Sequence, residues 1–207
     1  MHDHRTQLAT LIASRICHDL ISPVGAISNG LELVALGGAA PDGPELNLIS
    51  ESCDNANARI RFFRVAYGAA NDTAQMASHE VRNILDGMTR GGRLSVAWAP
   101  NEDCSRADVQ LAFLGVQCVE TALRRGGKVT ISIRPGRIEL AAEAERITPD
   151  PALWHHLSPT PNGNSVMGEG LNLAAAHVQF ALLPMLAADR GRKPAVQHDE
   201  GRLLLVI

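Results

Sequence analysis

Apolar residues recur at steps of three and four along the first third of the chain. Leu8, Ile12, Ile16, Leu20, Val24, Ile27, Leu31 and Val34 mark the stripe of an amphipathic helix, predicted over residues 5–36. Gly37-Gly38 is its stop signal. In the turn 39–44, Asp42 or Gly43 can cap the next helix, and Pro44 suits its first position. A second stripe follows: Leu46, Ile49, Cys53, Ala56, Ile60, Phe63 and Tyr67. Its alternating steps resemble a coiled-coil seam and close at Gly68 and the 69–72 stretch. Two long helices with a short turn make a hairpin, and a lone hairpin cannot bury so long a seam. Pairing with a second copy gives a four-helix bundle, so a homodimer through residues 5–70 is expected.

From residue 73 the period changes. A helix is predicted near 78–88. Leu94 to Trp98 alternates as a strand, and a helix over 106–124 ends at Arg124-Arg125-Gly126-Gly127. Lys128 to Ile133 and Arg137 to Ala142 read as a hairpin turning at Pro135-Gly136. A Pro- and Asn-rich loop covers 148–165, a helix 170–188, and strands 194–198 and 202–207 flank Asp199-Glu200-Gly201. The fold class is α+β, with a helical-hairpin domain over 1–72 and a mixed sheet domain over 73–207.

Composition narrows the function classes. At 207 residues the chain has room for one large or two small domains. Hydrophobic residues make up 45%, enough for a core, and only 3% are aromatic, which favours helix packing over a β-sandwich. A net charge of −3 gives no sign of a nucleic-acid surface. Cys17, Cys53, Cys104 and Cys118 are scattered and read as reduced thiols of a cytoplasmic protein. No continuous apolar run or signal peptide points to a membrane. The terminal His2 and His4, the sequential His155-His156 and the isolated His79, His177 and His198 match no zinc spacing, so no metal site is expected.

The chemistry concentrates at His18-Asp19. His18 lies two residues from Ile16 and from Leu20, about 200° around the helix, and so faces away from the core stripe. Its own stripe, Ser14, His18, Ser22, Gly25 and Asn29, consists of small neighbours that let another backbone come close. Leu11 and Ile21 flank it as partly exposed apolar contacts. The docking surface is therefore assigned to Leu11, Ser14, Arg15, Ile21, Ser22 and Gly25. Asp19 projects about 100° away from His18, and a suitable rotamer would let it bond one ring nitrogen and fix the tautomer. Pro23 lacks an N–H and clashes with the carbonyl one turn back, so a kink or loosened turn is expected there.

The run Arg15-Ile16-Cys17-His18-Asp19-Leu20-Ile21-Ser22-Pro23-Val24-Gly25-Ala26-Ile27-Ser28-Asn29-Gly30 resembles the phosphoacceptor box of two-component histidine kinases. It is still more similar to the ChpT family of histidine phosphotransferases. Residues 114–129 and the run Gly168-Glu169-Gly170-Leu171-Asn172-Leu173-Ala174 resemble the ATP-binding Bergerat (GHKL) domain of the kinases. The departures matter. Counting back from Gly126-Gly127, Cys118 falls where the kinase has its magnesium-binding Asn, and a thiol is a poor magnesium ligand. Residues 141–147 lack the Asp and both glycines of the adenine-reading box, and Asn172 replaces a late glycine.

The resemblance thus implies a dimerisation and phosphoacceptor hairpin followed by a degenerate GHKL-like α/β sandwich that binds no cofactor. It implies that His18 takes a phosphoryl group from the receiver domain of a hybrid histidine kinase, where the receiver supplies Mg2+. Asp19 would orient the ring, and response regulators of the CtrA and CpdR cell-cycle type would be the next acceptors. Two alternatives stay open: an ATP-dependent histidine kinase, and a docking or inhibitory module for receiver domains without chemistry.

Overall fold

In the computed structural model, which describes residues 2–37, 43–70, 73–157 and 173–207, the two apolar stripes become two long helices. Helix α1 spans His2–Gly37 and α2 spans Pro44–Ala66. Gly43 enters α2 with extended backbone, and Pro44 sits in the first turn, where a missing N–H costs nothing. The rest of the expected turn, 38–42, and Asn71-Asp72 lie outside the described residues. The helices pack along each other most closely at Gly30, where an added Cβ would come within 2.5 Å of the Ile49 side chain. Pro23 is buried beside α2, and the helix continues through it.

The expected stripe of α1 divides. Leu8, Ile12 and Ile16 pack against the main core. Further along, Val24 and Leu31 are more than half exposed. The reason is geometric: α2 covers one side of α1 only, the side carrying Asp19, Pro23 and Gly30. The α2 seam divides too. Leu46 and Ile60 are exposed, whereas Phe63 is buried with its neighbour Phe62 in the core that follows. By length and composition, Arg5–Leu36 also meets the test for a bilayer span, at a mean hydropathy of 1.2, against the expectation of no such segment.

The remaining elements follow in order. β1 (Gln75–Met76) and β3 (Cys104–Ser105) form a small antiparallel ribbon that the sequence reading did not anticipate. Between them lie α3 (Ser78–Thr89) and β2 (Leu94–Trp98). Helix α4 (Arg106–Ala122) is capped by Ser105, whose side chain accepts from the Asp108 N–H at 3.0 Å. Then come β4 (Gly127–Arg134), β5 (Arg137–Glu143), α5 (Pro151–Trp154), a 3₁₀ turn His155–Leu157, a second 3₁₀ turn Ala175–His177, α6 (Gln179–Ala188), β6 (Ala195–Asp199) and β7 (Arg202–Val206). The expected loop at 148–165 therefore holds helical structure at 151–157; residues 158–165 lie outside the described residues, as do 170–172 at the start of the last expected helix.

The sheet order is β2-β4-β5-β7-β6, parallel only between β2 and β4. Val129, Ile131, Ile138, Leu140, Ala142, Leu203 and Leu205 alternate onto one face and are buried beneath α4. Gly115 lets α4 lie low, since a Cβ there would meet Leu140 and Ile207 at 3.0–3.4 Å. The other face of the sheet is open, which an antiparallel arrangement permits. Gly126 turns from α4 into β4 at φ +92°, in a spot where a side chain would strike the Arg93 carbonyl.

The boundary expected at residue 72 is not a gap in packing. Phe62 stacks on Phe113 of α4 with ring centroids 4.7 Å apart. Gln110 donates to the carbonyls of Ala66 and Gly68 at 3.2 and 2.7 Å, and Arg106 donates to those of Arg64 and Ala69. These side chains satisfy the orphan carbonyls at the end of α2. The hairpin is thus anchored to the sheet domain at one end and projects from it at the other.

Candidate functional site

His18 sits on α1 with 84% of its side chain exposed. Ser14, Ser22, Gly25 and Asn29 are exposed along the same stripe, and nothing lies within 4 Å of where a Gly25 Cβ would be. Ile21 is 69% exposed beside them. These positions are exposed, as the sequence pattern predicts. Leu11 is half-buried against the core, and Arg15 is not a free surface cation.

Asp19 is nearly buried, with 10% of its side chain exposed, and it holds the site together. Its Oδ1 lies 3.1 Å from His18 Nδ1, so the rotamer needed for contact is the one adopted. Its Oδ2 accepts from Arg15 Nε at 2.8 Å and faces Arg59 Nη1 at 3.9 Å. A carboxylate paired with two guanidinium groups only accepts hydrogen bonds. Nδ1 must then carry the ring proton, which leaves the Nε2 lone pair facing solvent. An exposed nucleophilic nitrogen, a fixed tautomer and small neighbours are what attack on a phosphoryl group held by another protein requires.

A polar cluster behind Asp19 joins α1, α2 and α4. Tyr67 donates to Gln117 Oε1 at 2.9 Å, and burial pushes the Tyr67 hydroxyl up to about 12, with Arg15 pulling it down. Glu120 has an exposed surface overall, yet the protein around its carboxyl pushes its pKa up while Arg15 and Arg59 draw it back. A cleft beside this cluster is lined by Arg15, Gln117, Thr121, Arg124, His177 and Gln179.

Cys118 lies away from that cleft. Cys118 is fully buried toward the sheet, and burial pushes its thiol well up. The residues of α4 that line the cleft are Gln117, Glu120 and Thr121, and Arg124 joins them from the turn after the helix. The position compared with the kinase Asn therefore does not address the cleft at all. Ala141, Ala142 and Glu143 are part of β5, and Ala142 is buried, so continuous strand occupies the place of the first half of the kinase adenine box. The late motif, 168–172, lies outside the described residues. Among the described residues no group of three His, Cys, Asp or Glu side chains is placed to hold a metal ion.

Sequence reasoning missed two members of the site. Arg59 is one of several arginines near the end of α2 and carries no local signal of its role. The Ala176 carbonyl, which accepts a hydrogen bond from Arg15, leaves no signal in sequence, because its role comes from a backbone atom 161 positions away.

Comparison with known proteins agrees with this architecture. Residues 78–202 match the family described as histidine phosphotransferase C-terminal domain. Protein phosphotransferase ChpT of Brucella abortus (strain 2308) is 45% identical over 92 residues, which cover 44% of this chain and 43% of that relative. The match thus spans less than half of the relative's length. A 1.7 Å structure of a bacterial phosphotransferase superposes with a TM-score of 0.76 at 28% identity, over 97% of this chain and 95% of that one. With a C-terminal family match over more than half its length and a like structure over nearly all of it, the chain belongs to the histidine phosphotransferase family.

Proposed function

We propose that this protein is the histidine phosphotransferase of a two-component phosphorelay and that His18 is its phosphoacceptor. The observation that carries the reading is the exposed His18 ring, with Nδ1 held by Asp19 and Nε2 turned outward. The donor is the aspartyl phosphate of a receiver domain on a hybrid histidine kinase. Nε2 attacks phosphorus in line as the bond to the aspartyl oxygen breaks, and the electron pair of that bond leaves with the receiver carboxylate. The Nδ1 proton stays in its hydrogen bond to Asp19, which offsets the positive charge that develops on the ring. Mg2+ belongs to the receiver. Reversal on a second receiver passes the group to a response regulator, of the CtrA or CpdR type in the family resemblance.

The protein works as a homodimer in this reading. Support comes from the apolar side chains that the hairpin leaves uncovered: Val24 (53% exposed), Leu31 (55%), Leu48 (41%) and Ile60 (49%). ATP plays no part in the reaction. The supports are the continuous β5 strand at the adenine-box position and the lack of a glycine pair there. Incubation with labelled ATP alone, and separately with a labelled phosphoreceiver, tests the reading. Label is expected from the receiver only; label from ATP alone would restore the kinase alternative, and label from neither would leave a docking module.

A further inference from the structure

We infer that Arg15 is a positioning residue that ties the tautomer of His18 to the second domain. The inference rests on the reading of His18 as nucleophile. Arg15 is one turn before Asp19 on α1, and only 15% of its side chain is exposed. Its Nε donates to Asp19 Oδ2 at 2.8 Å, while its Nη1 donates to the Ala176 carbonyl. Asp19 in turn holds His18 Nδ1 through its other oxygen. A chain of three hydrogen bonds therefore runs from the backbone of the second domain to the reacting ring.

The anchor at the far end is well suited to the task. In the 3₁₀ turn Ala175–His177, the carbonyls of Ala174 and Ala175 accept from the N–H groups of His177 and Val178. The Ala176 carbonyl is turned to α1 instead. The same turn borders the cleft that Gln117 and Gln179 line, and both glutamines are almost fully buried. A shift of this turn pulls directly on Arg15.

Arg59 does not duplicate the hold. It stands 3.9 Å from Asp19, beyond hydrogen-bonding distance, and its Nε is committed to Asn55 at 2.8 Å. Nor can lysine replace Arg15 fully. A guanidinium presents Nε and Nη1 in a fixed fork that spans two acceptors, whereas an ammonium is a single point. Without Arg15, the Asp19 carboxylate loses the guanidinium hydrogen-bonded to it and keeps Arg59 at 3.9 Å, so its rotamer is held less firmly. A histidine ring freed of that hold favours the proton on Nε2, so Nε2 spends less time with its lone pair outward.

The test uses the full chain with 15N-labelled histidine, comparing wild type, Arg15→Gln and Arg15→Lys. The first readout is the pair of His18 ring nitrogen shifts, assigned by their loss in His18→Gln. Wild type should show the Nδ1–H tautomer, and Arg15→Gln a mixture shifted toward Nε2–H. The second readout is single-turnover transfer from a phosphorylated receiver across receiver concentrations. Arg15→Gln should lower the saturating rate by about tenfold, the scale of one charge-assisted hydrogen bond, with half-saturation little changed. Arg15→Lys should recover part of both. Unchanged ring shifts in Arg15→Gln would overturn the inference, as would a loss confined to half-saturation, which would make Arg15 a docking residue. Should Arg15→Gln not fold, Arg15→Lys carries the same test at a smaller size, and unchanged shifts there overturn it equally. If wild type accepts no phosphoryl group, the phosphotransfer reading fails, while the ring shifts still decide the role of Arg15.

Discussion

Replacing Ile60 with glutamate should separate dimer assembly from protomer folding. In a single chain Ile60 is 49% exposed, so half of its side chain awaits a partner. Full burial of an isoleucine side chain contributes about 1.5–3 kcal/mol, so covering the exposed half contributes about 1 kcal/mol per copy. Two copies would meet in the proposed bundle, which doubles the loss. A glutamate there must also leave water or splay the seam open, at several kcal/mol for an unpaired charge. The total is about 5 kcal/mol, or a dissociation constant weaker by more than about a thousandfold. The protomer itself should lose about 1 kcal/mol or less, because the position is half solvated. Sedimentation equilibrium against concentration measures the first effect, and urea unfolding of the monomeric variant the second. Wild type that sediments as a monomer at micromolar concentration would refute the dimer. So would Ile60→Glu with an unaltered dissociation constant.

Asp19→Asn should slow the saturating transfer rate about 5–30-fold, the rate equivalent of about 1–2 kcal/mol, while half-saturation in receiver holds; an equal change in both would assign Asp19 to docking. Ser22→Phe should block transfer by occupying the space a receiver backbone needs, with thermal stability unchanged because Ser22 is exposed; a normal rate and apparent affinity would show that the partner docks elsewhere. Tyr67 gives a pH signature. Its folded pKa of about 12 lies above the ordinary 10.0, so the stabilisation it provides is complete below the lower value and is lost as pH rises through the higher. Alkaline unfolding curves of wild type should carry this branch and those of Tyr67→Phe should lack it, and the variant should also lose about 1–3 kcal/mol for a buried Gln117 carbonyl left without its donor.

Much of the fold was legible because local periodicity and turn residues agree with it. The 3.6-residue stripe located α1, the Pro44 signal located the start of α2, and the glycine turns at 126–127 and 136 bounded β4 and β5. Periodicity could not say which partner each stripe meets. Phe63 and Tyr67 continue the α2 seam in sequence, yet Phe63 is buried in the main core beside Phe62, which stacks on Phe113 of α4, and Tyr67 donates to Gln117 of the same helix. Pro23 read as a kink and is a buried residue inside a continuous helix, and burial is not legible in a local pattern. His18 and Asp19 were legible as a pair because adjacency and outward placement are both local. Their support from Arg59 and the Ala176 carbonyl was not, since it depends on how α1 meets α2 and a turn far along the chain.

The central claim, that His18 takes and gives a phosphoryl group, is tested most directly by mapping the modification. Wild type and His18→Gln are incubated with a phosphorylated receiver, quenched at alkaline pH to preserve phosphohistidine, and digested for mass spectrometry. The account predicts one acid-labile phosphate on the peptide that carries His18, on Nε2, and none in His18→Gln at unchanged circular dichroism. Phosphate on His18→Gln, or on any other histidine of the wild type, would contradict it.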